Sequence, residues 1–155
     1  MTDAILFLAL DGVIYTQRSH VASGDRGLLW RKPDPVSVAF VNKLCAEGEA
    51  SVVVISDQRL IHPAEELLPR LRRDGIKANF HEDPFTESVP DHHRGDEVAL
   101  WLERHPEIKR HVILDDDAKF HPEQPRIKTD MRNGILVEHF LEAADKLGRP
   151  KTKKA

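Results

Sequence analysis

Three short stretches end in residues that could do chemistry. FLALDGVI, residues 7–14, carries an apolar run into Asp11 and Gly12. SVVVISDQR, residues 51–59, carries a second run into Ser56 and Asp57. HVILDDD, residues 111–117, ends in Asp115, Asp116 and Asp117. Carboxylates brought together repel one another unless a cation neutralises them. Hard oxygen ligands in a small site select Mg²⁺ over a thiophilic metal. With a hydroxyl and a basic side chain beside it, such a site suits a phosphate. Ser56 offers the hydroxyl. Arg94 opens the helical stretch RGDEVALWLERHP. At a helix start the dipole works against a positive charge, so Arg94 either faces an anion or is a lone surface arginine.

The elements around these residues must bring them to one edge. AILFLAL, residues 4–10, has the unbroken apolar run of a strand buried on both faces, and SVVVIS and HVILDDD repeat it. Residues 15–32 are polar and read as a loop. A helix follows, with Asp34 as its cap, Pro35 in its first turn and Gly48 at its end. Pro63 opens a second helix that closes at Gly75, with Pro69 expected to kink or shorten it. IKANF, residues 76–80, reads as a short strand, and residues 81–93 as a loop. Arg94 starts a third helix, with Val98, Trp101 and Leu102 on one face. IKT, residues 127–129, reads as a last short strand and residues 134–147 as an amphipathic helix. Strands alternating with helices give βαβ units and a mostly parallel sheet, with ligands beyond the carboxyl ends of the strands. One domain over residues 1–147 and a basic tail over 148–155 follow from this pattern.

Bulk properties narrow the classes. The chain has 155 residues, 40% of them hydrophobic and 32% charged, with a formal charge of −3. That balance gives no reason to expect strong nonspecific nucleic-acid binding. No apolar run reaches the roughly 18 residues of a membrane span, and a cytoplasmic location is expected. Cys45 is the one cysteine and lies in an apolar helical pattern, as a buried inert thiol would. Arg149, Lys151, Lys153 and Lys154 read as a solvated end. His81, His92 and His93 flank an acidic loop without the tight spacing of a zinc signature, so loop composition accounts for them. Arg59 reads either as a surface ion pair or as a substrate contact. Trp30 lies where it could pack or roof the site.

The three stretches resemble the motifs of the haloacid dehalogenase superfamily of phosphotransferases. The first motif, an apolar strand ending Asp-x-Asp-Gly, is matched by Ala9-Leu10-Asp11-Gly12-Val13. The second, a strand ending in Ser or Thr, is matched at Ser56. The third, a basic residue, falls on Arg94, and the fourth, paired acids, on Asp115 and Asp116. Within the superfamily the later part of the chain is similar to a small cap-less branch, the phosphatase-like domains found with Swiss Army Knife RNA repair proteins. The resemblance implies a Rossmann-like three-layer α/β/α fold without a large cap. It implies a Mg²⁺ ion held by Asp11, Asp115 and Asp116, and a phosphoryl group held by Gly12, Ser56, Asp57 and Arg94. It also implies an aspartyl-phosphate route, with the first Asp as nucleophile and the second as acid and base.

Aligned this way, Ala9 stands at the nucleophile position and Asp11 at the acid/base position. Residues i and i+2 of a strand point to the same side, which makes the spacing intelligible. Ala9 has no oxygen with which to attack phosphorus or bind metal. The chain is therefore expected to lack phosphatase activity, either as a phosphatase whose nucleophile has been replaced or as a natural pseudophosphatase that binds a phosphorylated ligand. The expected partner is a phosphorylated small molecule, a nucleotide or a nucleic-acid end, and not a membrane.

Overall fold

In the computed structural model, which describes residues 2–24 and 32–150, the apolar runs become the centre of a five-stranded parallel sheet. In chain order the elements are β1 (Ala4–Leu8), α1 (Gln17–Ala22), α2 (Pro35–Gly48), β2 (Ala50–Val54), α3 (Gln58–Ile61) and α4 (Ala64–Arg73). They continue as β3 (Phe80–Phe85), α5 (Arg94–Arg104), β4 (Arg110–Asp115), β5 (Arg126–Lys128) and α6 (Val137–Leu147). The strand order is β3-β2-β1-β4-β5. β1 is central, and all of its residues are buried. It pairs in register with β2 and β4, Leu8 lying opposite Val54 and Leu114. The three motif-bearing strands therefore end side by side.

Right-handed crossovers fix the layers. β1, β2 and β3 step in one direction across the sheet, so α2 and α4 lie on one face. The chain then jumps back from β3 to β4, which puts α5 on the other. α6 returns beside α2, where Phe40 and Phe140 stack at 5.0 Å. α5 seats Trp101 edge-on against Phe7, with ring centroids 5.4 Å apart. The three layers are those of a Rossmann-like α/β fold, and no large cap covers the sheet edge among the described residues.

Asp34 caps α2 by accepting from the amides of Val36 and Ser37. The left-handed residue after α2 is Glu49, at φ 51°, rather than a glycine. Gly48 is needed for packing, since a Cβ there would lie 2.6 Å from Leu147. α4 runs through Pro69, held by the buried Leu67 and Leu71 on either side of it. Two segments differ from the sequence reading. Residues 17–22, read as loop, form α1, a helix that buries none of its residues and is capped by Thr16. β3 covers Phe80–Phe85 rather than residues 76–80. It is an edge strand, where Pro84 is tolerated. Trp30, Lys151, Lys153 and Lys154 lie outside the described residues. Among the described residues no helix is long and apolar enough to cross a membrane.

Candidate functional site

An open pocket of about 330 Å³ lies beyond the carboxyl ends of β1, β2 and β4, lined by Ala9, Leu10, Asp11, Ser56, Asp57, Arg94, Asp116, Asp117 and Ala118. It is the crevice where the chain reverses direction across the sheet, the usual ligand position in such folds. The backbone of β1 delivers the first wall. The Ala9 amide donates to Leu114 O at 3.0 Å, extending the sheet past the end of β1. The chain then turns sharply, with the amides of Val13, Ile14 and Tyr15 all directed at Leu10 O. Gly12 takes φ +81°, and a Cβ there would fall 2.2 Å from Asp116 Oδ2. Only glycine lets the turn and the Asp116 carboxylate come this close.

Each acid has a distinct environment. Asp11 is exposed at the pocket mouth, where its Oδ1 accepts from Gln58 Nε2 at 3.0 Å. Gln58 Oε1 in turn accepts from Arg70, a donor-only side chain, so the amide nitrogen must face Asp11. Asp115, expected as a metal ligand, is fully buried and committed elsewhere. Its Oδ1 accepts from the amides of Asp117 and Ala118, both at 2.9 Å, and its Oδ2 accepts from Arg94 at 2.7 Å. Asp116 is the fourth-motif carboxylate that lines the pocket. Burial first, and then the charge of Asp115, push its carboxyl above the ordinary aspartate range. A divalent cation beside it would remove that penalty.

Arg94 is not a lone surface arginine, its side chain being 14% exposed. It bonds Asp115 at 2.7 Å and Asp57 at 2.9 Å. Burial alone would lower its pKa, but the charge and hydrogen bond of Asp115, and then those of Asp57, raise it, so the guanidinium stays charged. Asp57 is a rim residue, its side chain 73% exposed. Ser56 is buried and its Oγ accepts from the Gln58 amide at 3.3 Å. The pocket wall thus holds four carboxylates, Asp11, Asp57, Asp116 and Asp117, while Arg94 is already balanced by Asp115. An anion entering this surplus of negative charge needs a cation with it. The donor set of Asp11 and Asp116 consists of hard oxygens and fits Mg²⁺.

Arg59 is buried rather than at the surface and does not line the pocket, although its Nη1 lies 3.8 Å from the rim carboxylate of Asp57. Its side chain is 1% exposed and pairs with the 3% exposed Glu97 of α5 at 3.0 Å. It also donates to Thr86 O at 2.8 Å, Ile55 O at 2.9 Å and Ser56 O at 3.0 Å. It is an internal bracket that fixes Ser56 against β3 and α5. Two further residues of the site carried no role in the sequence reading. Gln58 orients Asp11, and its only signal is its place two residues after Ser56. Thr129, buried at the end of β5, donates from Oγ1 to Gly12 O at 3.0 Å and from its amide to Asp115 O at 3.0 Å, tying two motif loops together. Cys45 is buried, and its thiol is pushed up to about 12. That fits an inert packing residue.

The family described as "HAD domain in Swiss Army Knife RNA repair proteins" matches the chain over residues 5–140, a span that includes every residue of this pocket. No curated protein and no solved structure matches the chain.

Proposed function

We propose, because the chain belongs to the family of HAD domains in Swiss Army Knife RNA repair proteins, that its pocket is a Mg²⁺-dependent phosphomonoesterase site in which Ala9 stands at the nucleophile position, so that the chain as written binds a terminal phosphate without turning it over. The observation that carries this reading is the convergence of Ala9, Asp11, Ser56, Arg94 and Asp116 on one pocket with an excess of negative charge. Asp11 and Asp116 would hold Mg²⁺. When bound, the ion supplies positive charge that screens the pocket's acids from an incoming phosphate. Ser56 and Arg94 bind the phosphoryl oxygens, with Arg94 exchanging Asp57 for the substrate and keeping Asp115. With an oxygen nucleophile restored at position 9, Asp11, steadied by Gln58, would supply the proton to the leaving oxygen from its carboxyl, its part in holding Mg²⁺ then falling to its main-chain carbonyl. Ala9 presents a methyl group where attack on phosphorus requires an oxygen, so the covalent step does not occur.

The open edge above the pocket, without a large cap, supports a substrate larger than free phosphate: a nucleotide or the phosphorylated end of a nucleic acid. The formal charge of −3 argues for recognition of that end rather than of the polymer backbone. The presence of Asp11, Ser56, Arg94 and Asp116 supports an otherwise intact phosphatase site. A natural pseudophosphatase is the alternative, in which these groups serve binding alone. Calorimetric titration of inorganic phosphate tests the binding claim. Saturable binding in Mg²⁺ is expected, together with its loss on adding a chelator and a decrease of at least about tenfold in Arg94→Ala. Binding that ignores both changes would defeat the reading.

A further inference from the structure

The His93–Asp96–His121 cluster lies outside the acidic pocket, and we propose that it is a second metal site, built for a transition-metal ion of the Zn²⁺ class. His93 is the cap residue of α5, Asp96 sits in its first turn, and His121 comes from the loop between β4 and β5. His121 Nε2 lies 2.6 Å from Asp96 Oδ1, and His93 Nδ1 lies 3.7 Å from Asp96 Oδ2. The two imidazoles stack with centroids 4.8 Å apart. One ligand atom from each of the three residues falls within 4.8 Å of the others.

The arrangement is held from outside the cluster. The Gly95 amide donates to Lys119 O at 3.0 Å, and Gln124 donates to Gly95 O at 2.9 Å while accepting from the His121 amide at 2.8 Å. A Cβ on Gly95 would meet Gln124 Oε1 at 2.5 Å and Phe120 Cα at 2.9 Å, so the loop reaches α5 only because this residue is glycine. A metal would need only a turn of the His93 imidazole and a small closing of the three side chains to collect these ligands.

The ring nitrogens are also suitably disposed. His93 Nδ1 faces the Asp96 amide at 3.2 Å, so a lone pair points there. That amide also donates to His93 O at 3.0 Å, and therefore keeps a partner when the imidazole turns its lone pair to a metal. His121 Nε2 donates to a carboxylate and so carries a proton, which a metal would replace. Two imidazoles and one carboxylate form a donor set for Zn²⁺, Co²⁺ or Ni²⁺ rather than for Mg²⁺, with a fourth position left to water. The half-exposed Asp96 gives the ion a way in. An ion in the His93 cluster would pin the loop that follows Asp116 to the helix turn that carries Arg94.

The test uses the full chain without a tag, in excess Mg²⁺ to occupy the acidic pocket. Zn²⁺ is titrated calorimetrically, and Co²⁺ is followed by visible absorption. One saturable site is expected, with a four-coordinate Co²⁺ band and a higher unfolding temperature in Zn²⁺. His121→Ala and His93→Ala should weaken it by at least about tenfold, while Asp116→Asn should leave it unchanged. Far-ultraviolet circular dichroism checks that each variant folds, and the Co²⁺ spectrum of the unmodified chain stands independently of them. No saturable binding would overturn the proposal. So would binding that survives His121→Ala and disappears in Asp116→Asn, since the ion would then sit in the acidic pocket.

Discussion

Removing the Arg59 guanidinium should be among the most costly single changes in this protein. Arg59→Met deletes the hydrogen bonds to Thr86 O, Ile55 O and Ser56 O and leaves Glu97 buried without its cation. Among the described residues, the Val89 amide, at 3.1 Å, would remain as a donor to that carboxylate. Breaking one side of a buried pair costs about 3–5 kcal/mol. That is a large share of the roughly 5–15 kcal/mol that stabilises a typical domain. At about 2–4 °C per kcal/mol for a chain of this size, the melting temperature should fall by about 10 °C. Urea unfolding followed by circular dichroism measures the change, which should appear as a lower midpoint with an unchanged slope. Replacing both partners, as in Arg59→Met with Glu97→Leu, should recover part of the loss, because no charge is then stranded. A loss below about 1 kcal/mol for the single variant would mean that the pair behaves as an exposed one. The bracket that holds Ser56 would then have no energetic basis.

Other consequences follow from the same geometry. Gly12→Ala forces a side chain into φ +81° and drives its Cβ onto Asp116. It should cost about 1–2 kcal/mol in urea unfolding and should weaken Mg²⁺ binding in calorimetry. Asp34 accepts from Arg18, Thr16 and two amides of α2. Burial raises its pKa, but these bonds, led by that of Arg18, outweigh burial and hold it below the ordinary value. A carboxyl depressed in the folded state stabilises above its unfolded pKa of about 4 and loses that contribution as pH falls through the folded value. Asp34→Ala should therefore cost about 1–2 kcal/mol near pH 7, with the difference from the unmodified chain shrinking in acid-unfolding curves below about pH 4. Gln58→Leu frees the Asp11 carboxylate and should slow turnover of an Ala9→Asp variant while leaving phosphate binding intact, as read by initial rates and calorimetry.

The strands at the centre of the sheet were legible because burial on both faces demands unbroken apolar runs, as in AILFLAL and SVVVIS. The edge strand β3 was not, since an edge tolerates the polar residues and proline of FHEDPF. α1 buries none of its residues, so it has no apolar period to read. It is held by its Thr16 cap and by amides of Gln17 and Arg18 that donate to Met131 O and Arg132 O. The placement of the site at the strand ends followed from topology alone. The division of labour within it did not. The sequence reading assigned Asp115 and Asp116 the same role, yet Asp115 bonds Arg94 and two amides while Asp116 lines the pocket. Arg59 was illegible for the opposite reason. A charged residue in a polar helix turn looks like surface, and only the fold reveals the buried Glu97 that meets it, 38 residues along the chain and 3.0 Å away.

The central claim, that this pocket lacks only its nucleophile, is tested most directly by hydrolysis of an aryl phosphate in Mg²⁺ by the chain as written and by Ala9→Asp. The account expects no turnover from the first and chelator-sensitive turnover from the second, because Asp11, Ser56, Arg94 and Asp116 already line the pocket beside position 9. Equal turnover by both would contradict it and make Asp11 the nucleophile. A folded Ala9→Asp variant that binds phosphate and Mg²⁺ and yet hydrolyses neither the aryl phosphate nor a phosphorylated nucleic-acid end would contradict it as well, leaving a site built for binding alone.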